Sequence, residues 1–293
     1  NFKMTYNINV PRIPSIGNRE TRIVVNFVFT VGIVLGNLLV LFLVVNSKKL
    51  RRSSKYILVA SLAFADLTDG GFFLPMWTDI LIDQKINYSC LARYLSGACG
   101  YSTATVCSLS VVALNTDFTF RRAVSQYRGW LRRVTTSIFL MICWIGPCVT
   151  LGPLVAMGMR NSDPVHCFFT LDENSTFFMC LAFFIPSGAI IISSAFVIFV
   201  HVKTQQGGYT SNTDFPYDVF VTSCLTLGFY LPFAVLQMKN FNCLPNQCYM
   251  YFISTFVVNG NLVYAKSAIL PWIWLCSKRF RDEVRYLFCD VSS

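Results

Sequence analysis

Residues 23–45 read IVVNFVFTVGIVLGNLLVLFLVV, and the ten that follow, Asn46–Lys55, read NSKKLRRSSK. The first stretch runs 23 residues without a charge, enough helix to cross a hydrocarbon core about 30 Å thick. The second packs five Lys and Arg into ten positions, a mark of a segment held on the basic side of a membrane. The rest of the chain fits that start. Its 293 residues are 54% hydrophobic and 13% charged, with a mean hydropathy of +0.53. A water-soluble domain carries about 25% charged residues, so this chain lacks the polar surface that its size would need in water. That composition excludes an ordinary cytosolic enzyme, a disordered chain and a coiled coil.

Six more apolar stretches follow, near 56–76, 91–115, 135–157, 177–201, 216–236 and 250–275. Their connections are short, and no repeat or low-complexity segment interrupts them. The expected fold is an all-α membrane protein, a seven-transmembrane helix bundle. Residues 1–22 form an outer N-terminus, 23–276 the bundle, and 277–293 an amphipathic helix with a cytoplasmic tail. Fifteen of the 24 Lys and Arg fall in the 1–2, 3–4 and 5–6 connections and the C-terminal segment. The C-terminus is therefore expected in the cytosol and the N-terminus outside, at the plasma membrane. The net charge of +10 is then a topology signal, with no nucleic acid implied. Both Asn-x-Ser/Thr sequons, at Asn87 and Asn174, fall in outer loops and are expected to carry glycans. Cys90 and Cys167 also lie on the outer side, where disulfides form. Cys243 and Cys248 bracket the 6–7 loop at a spacing that suits a small ring.

Phe280, Val284 and Leu287 or Phe288 recur at helical spacing among basic residues, the pattern of a helix lying on a lipid surface. Cys289, just beyond, is a candidate for palmitoylation. Two histidines and 14 acidic residues leave few parts for a metal cage or a carboxylate pair, and no nucleophile–base set can be assembled. Neither an enzyme nor a bound cofactor is expected.

Particular residues then become specific. Gly36-Asn37 in span one, the segment Ser61-Leu62-Ala63-Phe64-Ala65-Asp66-Leu67 in span two, Trp144 in span four, Pro186 in span five, Pro232 in span six and Pro271 in span seven occur in one order on seven spans. In these features the chain resembles the rhodopsin-like (class A) G-protein-coupled receptors over nearly its whole length. The resemblance implies a Cys90–Cys167 disulfide and an eighth helix after span seven. It also implies an extracellular ligand and a heterotrimeric G protein inside the cell.

The departures from that family are concentrated in its activation motifs. Asp/Glu-Arg-Tyr should lie near Leu114–Phe118, where Asn115 and Thr116 stand and no arginine occurs. Cys-Trp-x-Pro becomes Phe229-Tyr230-Leu231-Pro232, with Tyr230 in place of the toggle tryptophan. Asn-Pro-x-x-Tyr becomes Leu270-Pro271-Trp272-Ile273-Trp274, and a tyrosine common in span five is Ser194. These losses suggest weak or absent G-protein coupling by the chain alone, with action through a partner receptor in a heterodimer. Direct coupling through altered contacts is the alternative.

Charges inside spans are expensive and are usually paired. Asp66, Asp69 and Lys266 are such charges. In the family, the aspartate matching Asp66 helps hold a sodium ion, with an Asn-Ser pair in span seven; here that pair reads Lys266-Ser267. Lys266 is therefore expected to reach Asp66 as a tethered cation, with Thr105 or Ser267 as hydrogen-bonding neighbours. A retinal Schiff base is disfavoured. Opsins place their lysine seven residues before the span-seven proline, against five here, and two residues turn a helix by about 200°.

The outer halves of the spans offer Trp77, Arg93, Tyr94, Tyr101, Phe183, Phe233, Gln237, Lys239 and Tyr264 as candidate ligand contacts. Aromatic walls with one or two cations suit a neutral or acidic amphiphile, pheromone-like or lipid-derived. An aminergic ligand is disfavoured because no Asp lies between Cys90 and Asp117. A peptide ligand is a further alternative. A transporter or channel would need a continuous polar path or repeated half-helices, and neither is present.

Overall fold

The computed structural model describes residues 19–83, 90–124, 126–127, 129–160, 177–178, 180–206, 216–241 and 261–288. Among them there are helices and no strands. Span one is Arg19–Asn46, and a single turn, Lys48–Arg51, follows it. Span two runs as Ser54–Thr68, a π-helical turn Asp69–Phe73, and Leu74–Asp83. Span three is Cys90–Ala123 and span four Trp130–Arg160. Span five opens with a π turn, Cys180–Phe184, and continues over Ile185–Gln206. Span six is Tyr217–Phe241, span seven is helical over 261–275, and a surface helix covers Lys278–Phe288.

Five of these helices, in spans one, two, four, five and six, are long and apolar enough to cross a membrane. The described part of span seven has 15 residues, and its expected start at 250 lies outside the described residues. Span three is polar for a different reason. Its Thr103, Thr105, Ser108, Ser110 and Asn115 are all buried, because it packs against spans two, four, five and six. A helix enclosed by other helices can carry hydroxyls that a lipid-facing helix could not. Span one shows the converse pattern: Val24, Phe27, Val28, Leu35, Leu38, Phe42 and Val45 are exposed at helical spacing. Such a stripe suits lipid or another apolar surface rather than water.

Prolines shape the helices and leave carbonyls to be satisfied. Proline has no N–H, so the carbonyl four residues earlier loses its donor, a serious cost away from water. Each π turn sits just ahead of a proline, Pro75 or Pro186, where the ladder is already interrupted. The carbonyl of Ala182, four before Pro186, accepts from Thr105 Oγ1 of span three at 3.1 Å. The carbonyl of Ser267, four before Pro271, accepts from Asn37 Nδ2 of span one at 3.2 Å. Two polar side chains on neighbouring spans thus replace what the prolines remove.

Close approach completes the packing. A Cβ on Gly70 would lie 2.3 Å from Ile33 Cγ2, and one on Gly36 would lie 2.9 Å from Pro271 Cβ. These glycines let span one seat against spans two and seven. Trp144 Nε1 donates to Ser61 Oγ at 2.9 Å, joining span four to span two. The surface helix is anchored by Phe280, fully buried edge-on against the Tyr56 ring at 5.2 Å. On its flank Lys49 pairs with Glu283 at 3.6 Å.

Thr105→Val keeps the shape of the side chain and removes its hydroxyl, leaving the Ala182 carbonyl without a side-chain donor. A loss of about 1–3 kcal/mol is expected. Thermal unfolding in detergent checks it: the melting temperature of Thr105→Val should fall clearly, whereas Thr150→Val, on the exposed face of span four, should match wild type.

Candidate functional site

Among the described residues, three polar clusters line the interior, and each joins two or more spans. The deepest lies at mid-height. Lys266 and Asp66 are both fully buried, and Lys266 Nζ is 2.6 Å from Asp66 Oδ1. The ammonium also donates to Tyr230 OH at 3.0 Å and sits 4.9 Å from the centre of that ring. Asp66 Oδ1 further accepts from Ser267 Oγ at 2.7 Å and from Cys107 Sγ at 3.4 Å. Spans two, three and seven therefore meet at one carboxylate, and span six joins them through the ammonium. In a low-dielectric interior an isolated ammonium would cost several kcal/mol, and a close, hydrogen-bonded partner offsets much of that. One turn outward, Asp69 is also buried and accepts from Thr103 Oγ1.

Of the two neighbours expected for the pair, Ser267 is in this cluster and Thr105 is not. Its hydroxyl donates to the carbonyls of Tyr101 and Ala182, the second being the acceptor that Pro186 leaves without a helix partner. Tyr230 and Cys107 take the remaining places. The tyrosine at the toggle position reads in sequence as a loss. In the structure its hydroxyl accepts one of the ammonium protons, a role tryptophan could not fill because its indole only donates.

The second cluster lies about two turns towards the end that bears the basic loops. Asn115 Nδ2 is 3.0 Å from Ser193 Oγ and 3.1 Å from the hydroxyls of both Ser194 and Ser223. One amide thus links spans three, five and six. Thr116 does not join it; its hydroxyl returns to the Val112 carbonyl at 2.7 Å. Ser193 and Ser223 were not foreseen, since a lone serine in a membrane helix carries no signal of its own.

The third cluster is at the end of span three that bears the basic loops. Asp117, fully buried, accepts from Ser54 Oγ at 2.7 Å and from Tyr127 OH at 3.0 Å, and forms an ion pair with Arg121 Nη2 at 2.9 Å. Burial and the Asp117 charge push the Tyr127 phenol up to about 12, so it remains a donor at neutral pH. Arg121 is held on its own helix by that pair. Leu270 and Trp274 are buried, and the Lys55 ammonium lies 5.4 Å from the centre of the Trp274 ring.

Of the expected ligand contacts, the structure brings three together. Phe183 is edge-on to Tyr101 at 5.9 Å, tilted against Phe233 at 5.2 Å, and perpendicular to Tyr230 at 6.3 Å. Phe178 adds a further edge contact to Tyr101 at 5.2 Å. This aromatic column stands directly over the Lys266 cluster. Phe183 is fully buried, so it packs the interior in this state and is no open wall. Tyr264 is half-buried in span seven. The side chains of Trp77, Cys90, Arg93, Tyr94, Gln237 and Lys239 lie outside those described, as do Asn87, Cys167, Asn174, Cys243, Cys248 and Cys289.

Removing one partner of the mid-height pair strands a charge. Lys266→Met should lower stability by about 3–5 kcal/mol. The double variant Lys266→Met/Asp66→Leu should recover a large part of that loss, because neither charge remains. A thermal double-mutant cycle in detergent reads the coupling, and additive losses would mean that the two residues act independently.

Comparison with known proteins supplies the family. The pattern of the 7 transmembrane receptor (rhodopsin family) matches residues 36–274. The chain is similar to an adenosine receptor A3 from Ovis aries, 29% identical over 168 residues, which covers 55% of this chain and 48% of that receptor. It is also similar to a 5-hydroxytryptamine receptor 2C from Canis lupus familiaris, 26% identical over 193 residues, covering 63% and 40%. The chain thus spans about half the length of these curated relatives. A match over the stretch from Gly36 to Trp274 takes in all three polar clusters, and the chain belongs to the rhodopsin family of seven-transmembrane receptors.

Proposed function

We propose that this protein is a plasma-membrane receptor for an extracellular small molecule, and that its internal relay is altered so that it activates a G protein weakly or only beside a partner receptor. The observation that carries the second half is the buried Lys266–Asp66 pair. A mobile ion held at Asp66 could leave when the helices rearrange, whereas a tethered ammonium must stay or be carried along by its own helix. Any state that separates spans two and seven at this level must break the pair in a dry interior, a cost of several kcal/mol.

The inner clusters support the same reading. Asn115 offers a neutral amide to spans five and six, which hydrogen-bonds the closed bundle together but supplies no long cation to reach a partner. Arg121, the nearest arginine to the expected motif, is engaged by Asp117. The names of the two relatives refer to adenosine and 5-hydroxytryptamine, both small molecules. For this chain the column of Tyr101, Phe183 and Phe233 favours an apolar or aromatic ligand body, and Arg93 and Lys239 favour a neutral or acidic head. In this reading the N-terminus is outside, the basic loops are cytosolic, and Cys90–Cys167 and Cys243–Cys248 are the disulfide candidates. Asn87 and Asn174 are the glycan sites and Cys289 the acyl site.

Nucleotide exchange on a panel of purified heterotrimers tests the proposal, first with the receptor alone in nanodiscs and then beside candidate partner receptors. Exchange alone should stay near the receptor-free rate for every heterotrimer, with a rise only in a mixture. Brisk exchange by the isolated protein would contradict the altered-relay reading.

A further inference from the structure

Asp69 opens the π turn of span two, one turn outward from Asp66, and is only 3% exposed. One of its oxygens, Oδ1, meets Thr103 Oγ1 of span three. The other, Oδ2, is buried and has no hydrogen-bond partner among the described residues. The Thr103 hydroxyl lies at the same time 2.9 Å from the Gly100 carbonyl. A hydroxyl has one proton to give, and a backbone carbonyl can only accept. If Asp69 were a carboxylate, Thr103 would face two acceptors with a single proton, and one contact would set oxygen lone pairs against each other. Both contacts are satisfied when the carboxyl itself holds a proton. Asp69 then donates to Thr103, and Thr103 donates to Gly100.

The charges nearby lead to the same result. The titratable groups within electrostatic reach of Asp69 come from four spans: Asp66 of span two, Cys99 and Cys107 of span three, Tyr230 of span six, and Tyr264 and Lys266 of span seven. Span one packs against this turn through Ile33 and holds no titratable side chain between Arg22 and Lys48. Phenols and thiols are uncharged at neutral pH. That leaves Asp66 and Lys266, which cancel one another at 2.6 Å. A charged Asp69 would be a lone anion in a dry interior, with one oxygen facing no donor. A carboxyl so placed neutralises instead.

We propose that Asp69 is a proton-binding site, a neutral carboxyl that donates to Thr103 and thereby leaves Lys266 to Asp66 alone. When the proton departs to water, two carboxylates one turn apart compete for a single ammonium, and the tie between spans two and seven slackens. The site makes the middle of the bundle sensitive to pH, with a definite sign. The fold holds a proton here that an exposed aspartate in the unfolded chain has already given up, so a rising pH weakens the fold. Asparagine copies the protonated form, because its amide donates to Thr103 and cannot ionise. The site stands on these contacts and charges, and it depends on neither a ligand nor the receptor reading above.

Infrared absorption of the purified protein in an ester-free detergent tests this, because a protonated carboxyl absorbs apart from carboxylate and amide groups. At neutral pH the wild type should show such a band, shifted by heavy water and by aspartate carrying a heavy carboxyl carbon. Thr103→Val should shift the band, since the O–H loses its acceptor, and Asp69→Asn should abolish it. Raising the pH should bleach the band and lower the wild-type melting temperature, and Asp69→Asn should lose markedly less. Should Asp69→Asn fail to fold, the labelled wild type and Thr103→Val carry the assignment. A neutral-pH spectrum with no protonated-aspartate band would overturn the proposal. So would a band that survives Asp69→Asn, a band that ignores Thr103→Val, or equal alkaline losses in the wild type and Asp69→Asn.

Discussion

A buried ammonium has to be answered by a carboxylate, and this requirement organises the middle of the protein. Lys266 is fully enclosed, with Asp66 at 2.6 Å and the Tyr230 hydroxyl at 3.0 Å. To bring those groups together, spans two, six and seven must approach at one height, and span three must offer only small side chains there. Cys107 does so at 3.4 Å from Asp66. Span one then seats against spans two and seven through Gly70 and Gly36, and its Asn37 supplies a donor for the Ser267 carbonyl beside the pair. The ion pair and the proline geometry of span seven are therefore parts of one arrangement.

On one side of this level stand the aromatic column and the buried Asp69–Thr103 pair, and on the other, towards the basic loops, lies a series of polar links. Tyr230 belongs to both halves: its ring packs under Phe183 and its hydroxyl meets Lys266. A change in the packing of the aromatic column would be felt first at the ammonium. Further in, the links are short hydrogen bonds between small side chains, Asn115 to three serines, and then the paired charges at the inner end. The Asn115 bonds and the Lys55–Asp218 pair tie neighbouring spans together. None provides the long, free cation that the family's usual motif places at the end of span three.

The sequence revealed the fold through composition and through one uncharged run followed by a basic one. Span three was counted among the apolar stretches at 91–115, and the burial of its hydroxyls explains how so polar a helix fits there. Asp66 and Lys266 could be named together because their helical registers were readable from the neighbouring Leu62-Ala63-Phe64-Ala65 and Pro271. Tyr230 could not, because a substitution reads as a lost tryptophan and not as a gained acceptor. Thr105, offered beside Ser267 as a neighbour of the pair, lies in another network for a related reason. Its acceptor is a carbonyl made available by Pro186, 81 positions further along, and a backbone group leaves no mark in a pattern of side chains. The Lys55–Asp218 contact was hidden because both residues look like ordinary solvated helix ends.

The central claim is that a fixed ammonium stands where a mobile cation would otherwise balance Asp66. The most direct measurement is the melting temperature of the purified protein in sodium chloride and in an equal concentration of a bulky organic cation chloride, for wild type and for Lys266→Asn. The account predicts identical wild-type values in the two salts, and a sodium-specific rise in Lys266→Asn, whose interior has lost its own cation. Wild-type protein that is stabilised by sodium over the organic cation would contradict it.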